Sequence, residues 1–193
     1  MKTLIRLVRE RESPPMAYGH EYYSIYVSGE KVRPPNRRAN YNSPQSIKNN
    51  LQKAYPDATI KTGVIIYKEW ITRADLRSNP VARYVFGDNS ARVGFGGQDR
   101  EMRGEPNAIG VPTMRSPGTL EKEYFSDSVE RDRESLLMGL DEVLVALEDW
   151  RTVFVPSKGI GTGHSELSTR APHLYAELRY FFNRVSEGTC PWG

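Results

Sequence analysis

Residues 84–98 read Tyr-Val-Phe-Gly-Asp-Asn-Ser-Ala-Arg-Val-Gly-Phe-Gly-Gly-Gln. Tyr84, Val85 and Phe86 are bulky, β-prone residues, and the run stops abruptly at Gly87, Asp88 and Asn89. The pattern is that of a buried strand delivering a polar turn, and the loop beyond it carries Gly94, Gly96 and Gly97. A second stretch repeats the arrangement. Thr152-Val-Phe-Val155 is a short strand closed by Pro156, and Ser157-Lys-Gly-Ile-Gly-Thr-Gly163 follows it.

Working outward, helices separate these strands. Residues 126–150 place Leu136, Leu140, Val143, Leu144 and Leu147 on one face, with Asp127 and Glu130 resembling a capping box at the start. A last helix begins near Pro172 and aligns Leu174, Leu178, Phe181, Phe182 and Val185. Upstream, Pro44 opens a helix of about three turns. A β-rich run extends from Thr62 into Ile66, and Thr72 caps a short helix that Asn79-Pro80 ends. Residues 108–112 form a further short strand stopped by Pro112. Strands alternating with helices imply α/β layers around a mainly parallel sheet. Residues 1–45, with Pro14, Pro15, Pro34, Pro35 and Pro44, read as an N-terminal extension of loops around one strand, Tyr22 to Val27. Residues 46–193 read as the α/β domain.

Composition excludes several classes. The chain has 193 residues, 27 Lys+Arg against 24 Asp+Glu, one Cys and three His. A lone Cys190 rules out an intramolecular disulfide framework and a Cys-based zinc site, and the histidines lack helical metal spacing, so no metal is expected. No apolar run approaches the roughly 18 residues of a membrane span, and the first residues lack the apolar stretch of a signal peptide. The expected protein is intracellular with no membrane partner. The net charge of +3 conceals an asymmetry. Residues 1–80 carry 14 Lys+Arg and 7 Asp+Glu, whereas residues 81–193 carry 13 and 17.

In open α/β sheets, ligands bind beyond the carboxyl ends of strands, where both glycine loops lie. Glycine permits close backbone approach, so successive N–H groups can converge on phosphate oxygens. A helix starting near Gln98 would add its N-terminus to that anion site. The Walker pattern is absent, and Gly94-Phe-Gly-Gly-Gln98 lacks the full dinucleotide fingerprint.

These two stretches resemble the ligand loops of macro domains, which bind ADP-ribose. The resemblance covers residues 82–185 and implies a three-layer α/β/α, Rossmann-like fold with a nucleotide cleft and no required cofactor. It places Asp88 and Asn89 beside adenosine or the distal ribose. It makes Gly94, Gly96, Gly97 and Gln98 the first diphosphate loop, and Gly159, Ile160, Gly161, Thr162 and Gly163 the second. Gln98 and the charged Asp99-Arg100-Glu101 depart from the small apolar residues usual after the first loop. Residues 102–113 fall outside the macro pattern and look like an insertion in an uncharacterised phage or bacterial family, hence a bacterial or phage-infected cytoplasm.

Within residues 99–105, Arg103 is a candidate phosphate partner, and Asp99 or Glu105 a candidate base activating water at an anomeric carbon. The competing role for Arg103 and Glu105 is a salt bridge within the turn. His164, with Glu166 two residues on, is a further acid–base candidate. Two other functional readings stand beside nucleotide binding or hydrolysis. Gly159-Ile-Gly-Thr-Gly-His-Ser-Glu166 also resembles the loop of lysine-decarboxylase-like phosphoribohydrolases, without their Gly-Gly doublet. Tyr18, Tyr22, Tyr23, Tyr26 and Tyr41, near Arg37 and Arg38, suit stacking on nucleic acid or packing against a partner.

Overall fold

The computed structural model describes residues 4–11, 21–27, 30–32 and 44–187. Two four-stranded sheets are present among them. The first joins β1 (Leu4–Arg11), β2 (Glu21–Val27), β3 (Glu30–Val32) and β4 (Thr59–Thr62) in the order β3-β2-β1-β4, with helix α1 (Pro44–Ala54) between β3 and β4 in sequence. The N-terminal region is therefore a sheet, where loops around one strand were expected. β2 is the expected strand; β1 and β3 pair with it antiparallel, and β4 joins β1 in parallel. Pro14, Pro15, Pro34, Pro35, Tyr18, Arg37, Arg38, Tyr41 and Cys190 lie outside the described residues.

The β-rich run at residues 62–66 is split between the two sheets at Gly63. Its φ is +68°, and a Cβ there would stand 2.7 Å from the Leu147 carbonyl oxygen, so only glycine lets the chain pass the end of the long helix. Beyond it, β5 (Val64–Lys68), β6 (Arg83–Asn89), β7 (Ala108–Met114) and β8 (Thr152–Pro156) form an all-parallel sheet in the order β5-β8-β6-β7.

Side chains alternate across this sheet. Val85, Ile109, Val111, Val153 and Val155 face one way, onto α4 (Glu130–Glu148), the single turn α5 (Leu167–Arg170) and α6 (Pro172–Glu187). Tyr84 and Phe86 face the other way and pack with Ile71, with Leu76 of α2 (Arg73–Ser78) and with Met102 of α3 (Asp99–Met102). Tyr84 stacks on Phe154 at 4.9 Å and donates to the Asp75 carbonyl at 3.0 Å; burial pushes its hydroxyl pKa up to about 12. The result is a Rossmann-like α/β arrangement with helices on both faces.

Several local expectations meet the structure differently. Thr72 does cap α2, in a reciprocal box with Asp75. Asp127 does not cap α4. Its carboxylate accepts from the backbone N–H groups of His173 and Leu174, both at 3.0 Å, and so caps α6. Pro112 does not stop β7, which continues to Met114, because an edge strand tolerates a missing N–H. Over Pro112 lies Gly139 of α4, where a Cβ would meet Pro112 Cδ at 2.8 Å and Val111 Cα at 2.9 Å.

Glycine to alanine inside a helix ordinarily stabilises by about 0.5–1 kcal/mol. Here the sign reverses: Gly139→Ala forces α4 away from β7 and costs about 1–3 kcal/mol. Urea denaturation checks this, with a lowered midpoint expected and an unchanged or raised one counting against the packing described.

Candidate functional site

The β6–β8 ladder has two register pairs, Arg83 with Val153 and Tyr84 with Phe154. Past Phe154 the strands diverge, whereas β6 remains paired with β7 as far as Asn89. The chain leaving β6 turns toward α3 on one face, and the chain leaving β8 turns toward α5 and α6 on the other. The gap between adjacent strands with opposed exits is the switch point at which open α/β sheets hold ligands. It forms a cleft of about 430 Å³.

The structure brings most of the sequence-derived residues to this cleft. Asp88, Asn89, Gly94, Gly96, Gly97, Gln98 and Asp99 line one side, and residues 159–163 with His164 line the other. Arg103 and Glu105 are not among its lining residues. Arg103 is half-buried behind the first loop, donating to both oxygens of Asp88, to Asp99 Oδ2 at 3.0 Å and to the Gly94 carbonyl at 2.8 Å. The expected salt bridge to Glu105 is not formed, and the Arg103 guanidinium is taken up by Asp88 and Asp99. Glu105 pairs instead with Arg77 at 2.9 Å and Arg73 at 3.3 Å. His164 and Glu166 likewise do not pair. The His164 Nε2 meets the Gly118 carbonyl at 2.6 Å, and Glu166 accepts from Arg170 at 3.0 Å.

Asp88 is the centre of the first loop's support. Besides Arg103, its carboxylate accepts from Arg92 at 2.8 Å and from the Asn89 N–H at 2.7 Å. Arg92 reaches back because the turn places it at φ +55°, a conformation costing a bulky residue about 1–3 kcal/mol. Its guanidinium also donates to the Gly110 carbonyl at 2.6 Å, and a Cβ at Gly110 would overlap Asp88 Oδ2. Asn89 holds Val93 through both its amide atoms. The Gln98 side chain pairs with the backbone N–H and carbonyl of Ile71 at 3.1 and 3.0 Å. These side chains fix the loop rather than offer themselves to a ligand.

The groups left over are main-chain amides. Among the described residues, the N–H groups of residues 94–98 and 160–165 donate to no protein acceptor. Residues of both runs line the one cleft, which is therefore flanked by two series of main-chain donors with no protein acceptor. α3 begins immediately after Gln98, as expected, but is only one turn long. Among the described residues no cluster of His, Cys, Asp or Glu could hold a metal ion.

Sequence reasoning missed two aromatic residues at the rim, Trp70 (44% exposed) and Phe95 (68% exposed). The available signal was chemical: Phe95 stands between glycines in a loop and Trp70 just beyond a strand, positions where a large apolar side chain has no core to join.

Arg103→Ala leaves the Asp88 charge buried with fewer donors and costs about 3 kcal/mol on chemical denaturation. Arg103→Lys does not restore it, since one ammonium cannot span Asp88, Asp99 and the Gly94 carbonyl. Burial raises the Asp99 carboxyl above 3.8, opposed by its hydrogen bond from Arg103. The folded state thus binds this proton more tightly than the unfolded state, and stability falls as pH rises from 3.8 through the folded midpoint. Asp99→Asn removes that slope from denaturation midpoints measured across the acid range.

The comparison with protein families gives one match, over residues 66–181, to a family of unknown function, DUF7831. No curated protein and no solved structure matches the chain. The matched span contains the whole parallel sheet from Ile66 onward and both glycine loops, more than half of the sequence, and the chain belongs to the DUF7831 family.

Proposed function

We propose that the cleft binds an ADP-ribose-like nucleotide, its diphosphate held by the main-chain amides of residues 94–98 and 160–165. The observation that carries this reading is those unpaired N–H groups, which flank one 430 Å³ cleft at the carboxyl ends of parallel strands. The volume lies within the roughly 300–1,000 Å³ usual for small-molecule sites. Backbone donors of this kind suit phosphate oxygens, which accept several hydrogen bonds at once. Trp70 and Phe95 at the rim provide apolar faces for a nucleobase, and the resemblance to macro-domain loops agrees with the same ligand class.

Calorimetry with ADP-ribose, AMP and NAD tests the proposal, with saturable binding of ADP-ribose expected. Absence of binding by all three would refute it. Gly96→Glu and Gly163→Glu are informative variants, because a side chain at either position meets nothing within 4 Å. Each places a carboxylate beside the proposed phosphates and should weaken ADP-ribose binding more than about tenfold with folding unchanged. Trp70→Ala should weaken ADP-ribose about 5-fold or more through lost stacking, yet leave ribose 5-phosphate unaffected.

A further inference from the structure

The second glycine loop has two sides, and its far side walls another cavity. This one, about 230 Å³, opens between the loop after β8, the end of β5 and helix α6. Its floor is apolar, made by Val155, Leu178 and Phe182. Tyr67 and Tyr175 also line it, and Tyr67 is anchored to α6 by a 3.0 Å hydrogen bond to Ser186 Oγ.

Four polar side chains line the same cavity: Ser157, Lys158, Arg179 and Asn183. Among the described residues none of these four side chains has a hydrogen-bonding or ionic partner. That separates Arg179 from arginines such as Arg73, Arg115 and Arg133, each of which pairs with a carboxylate. Among the described residues no carboxylate lines the cavity. Its charged lining is cationic, its neutral polar lining can donate, and its floor is apolar.

We propose that this cavity is a second binding site, for a compact molecule with one apolar ring and one anionic head. The anion would be held by Arg179 and Lys158, with donation from Ser157 and Asn183, and the ring would lie on Phe182 and Leu178 between the two tyrosines. The volume, below the roughly 300 Å³ at which drug-sized sites begin, limits the ligand to a single ring. The site is independent of the nucleotide reading. It shares Lys158, Gly159 and Ile160 with the first cleft but none of the first loop.

Phenyl phosphate is the probe, titrated into the full chain and followed by amide chemical shifts. Saturable shifts centred on Gly159, Arg179 and Asn183 are expected, with inorganic phosphate at least about tenfold weaker because it lacks the ring. Gly96→Glu, which obstructs only the first cleft, should leave phenyl phosphate affinity unchanged. Arg179→Glu, on the exposed side of α6, should weaken it at least about tenfold, and Asn183→Asp should weaken it in the same direction. Shifts that fail to saturate, survive Arg179→Glu, or disappear in Gly96→Glu would overturn the proposal.

Discussion

The carboxylate of Asp88 organises the functional end of the molecule. Burying a carboxylate is costly, and attraction between charges offsets the cost only when the geometry also satisfies the remaining lone pairs. Asp88 meets that condition with Arg103, Arg92 and the Asn89 N–H. Each donor then ties down a different segment. Arg103 secures Gly94 and Asp99, and Arg92 secures Gly110 on the neighbouring strand. One acidic side chain thereby joins the end of β6, the first glycine loop, α3 and β7. Gly110 follows as a necessity, since any side chain there would occupy the space of this ion cluster.

The cleft is a consequence of topology. The order β5-β8-β6-β7 sends the chain from β5 to β6 and on to β7 in one direction along the sheet, by way of α2 and α3. It returns to β8 by way of α4 on the opposite face, as right-handed crossovers require when direction reverses. β6 and β8 thus become neighbours whose chains leave on opposite sides, and their ladder opens after Tyr84 and Phe154. The loops that follow cannot pair with one another across the opening. Both loops line the cleft, fixed on one side by Arg103 and Gln98 and on the other by the Leu167 N–H bonding the Gly161 carbonyl at 3.1 Å.

Much of this was legible one segment at a time. The abrupt stop at Gly87-Asp88-Asn89, the proline after Val155 and the helical stripes of residues 126–150 and 172–185 each report a local period or a local break. Asp127 shows where such reading fails. Its spacing from Glu130 is that of a helix cap, but the amides it caps belong to His173 and Leu174, more than forty residues away. Pro112 fails differently: whether proline ends a strand depends on whether the strand lies at a sheet edge. Arg103 looked available because a guanidinium in a glycine-rich turn suits phosphate, and only the fold places a buried carboxylate beside it.

The sequence by itself determined the α/β alternation and the two glycine loops at strand ends, because these depend on residue type and short-range spacing. The tertiary structure decided which polar groups remain free. Polar groups shielded from water take the nearest partner in space, so Asp88, Arg103, Gln98 and Glu105 are engaged by partners that the fold brings within reach. Among the described residues, what stays without an acceptor is the N–H groups of residues 94–98 and 160–165, and with them the character of the cleft as a site flanked by backbone amides.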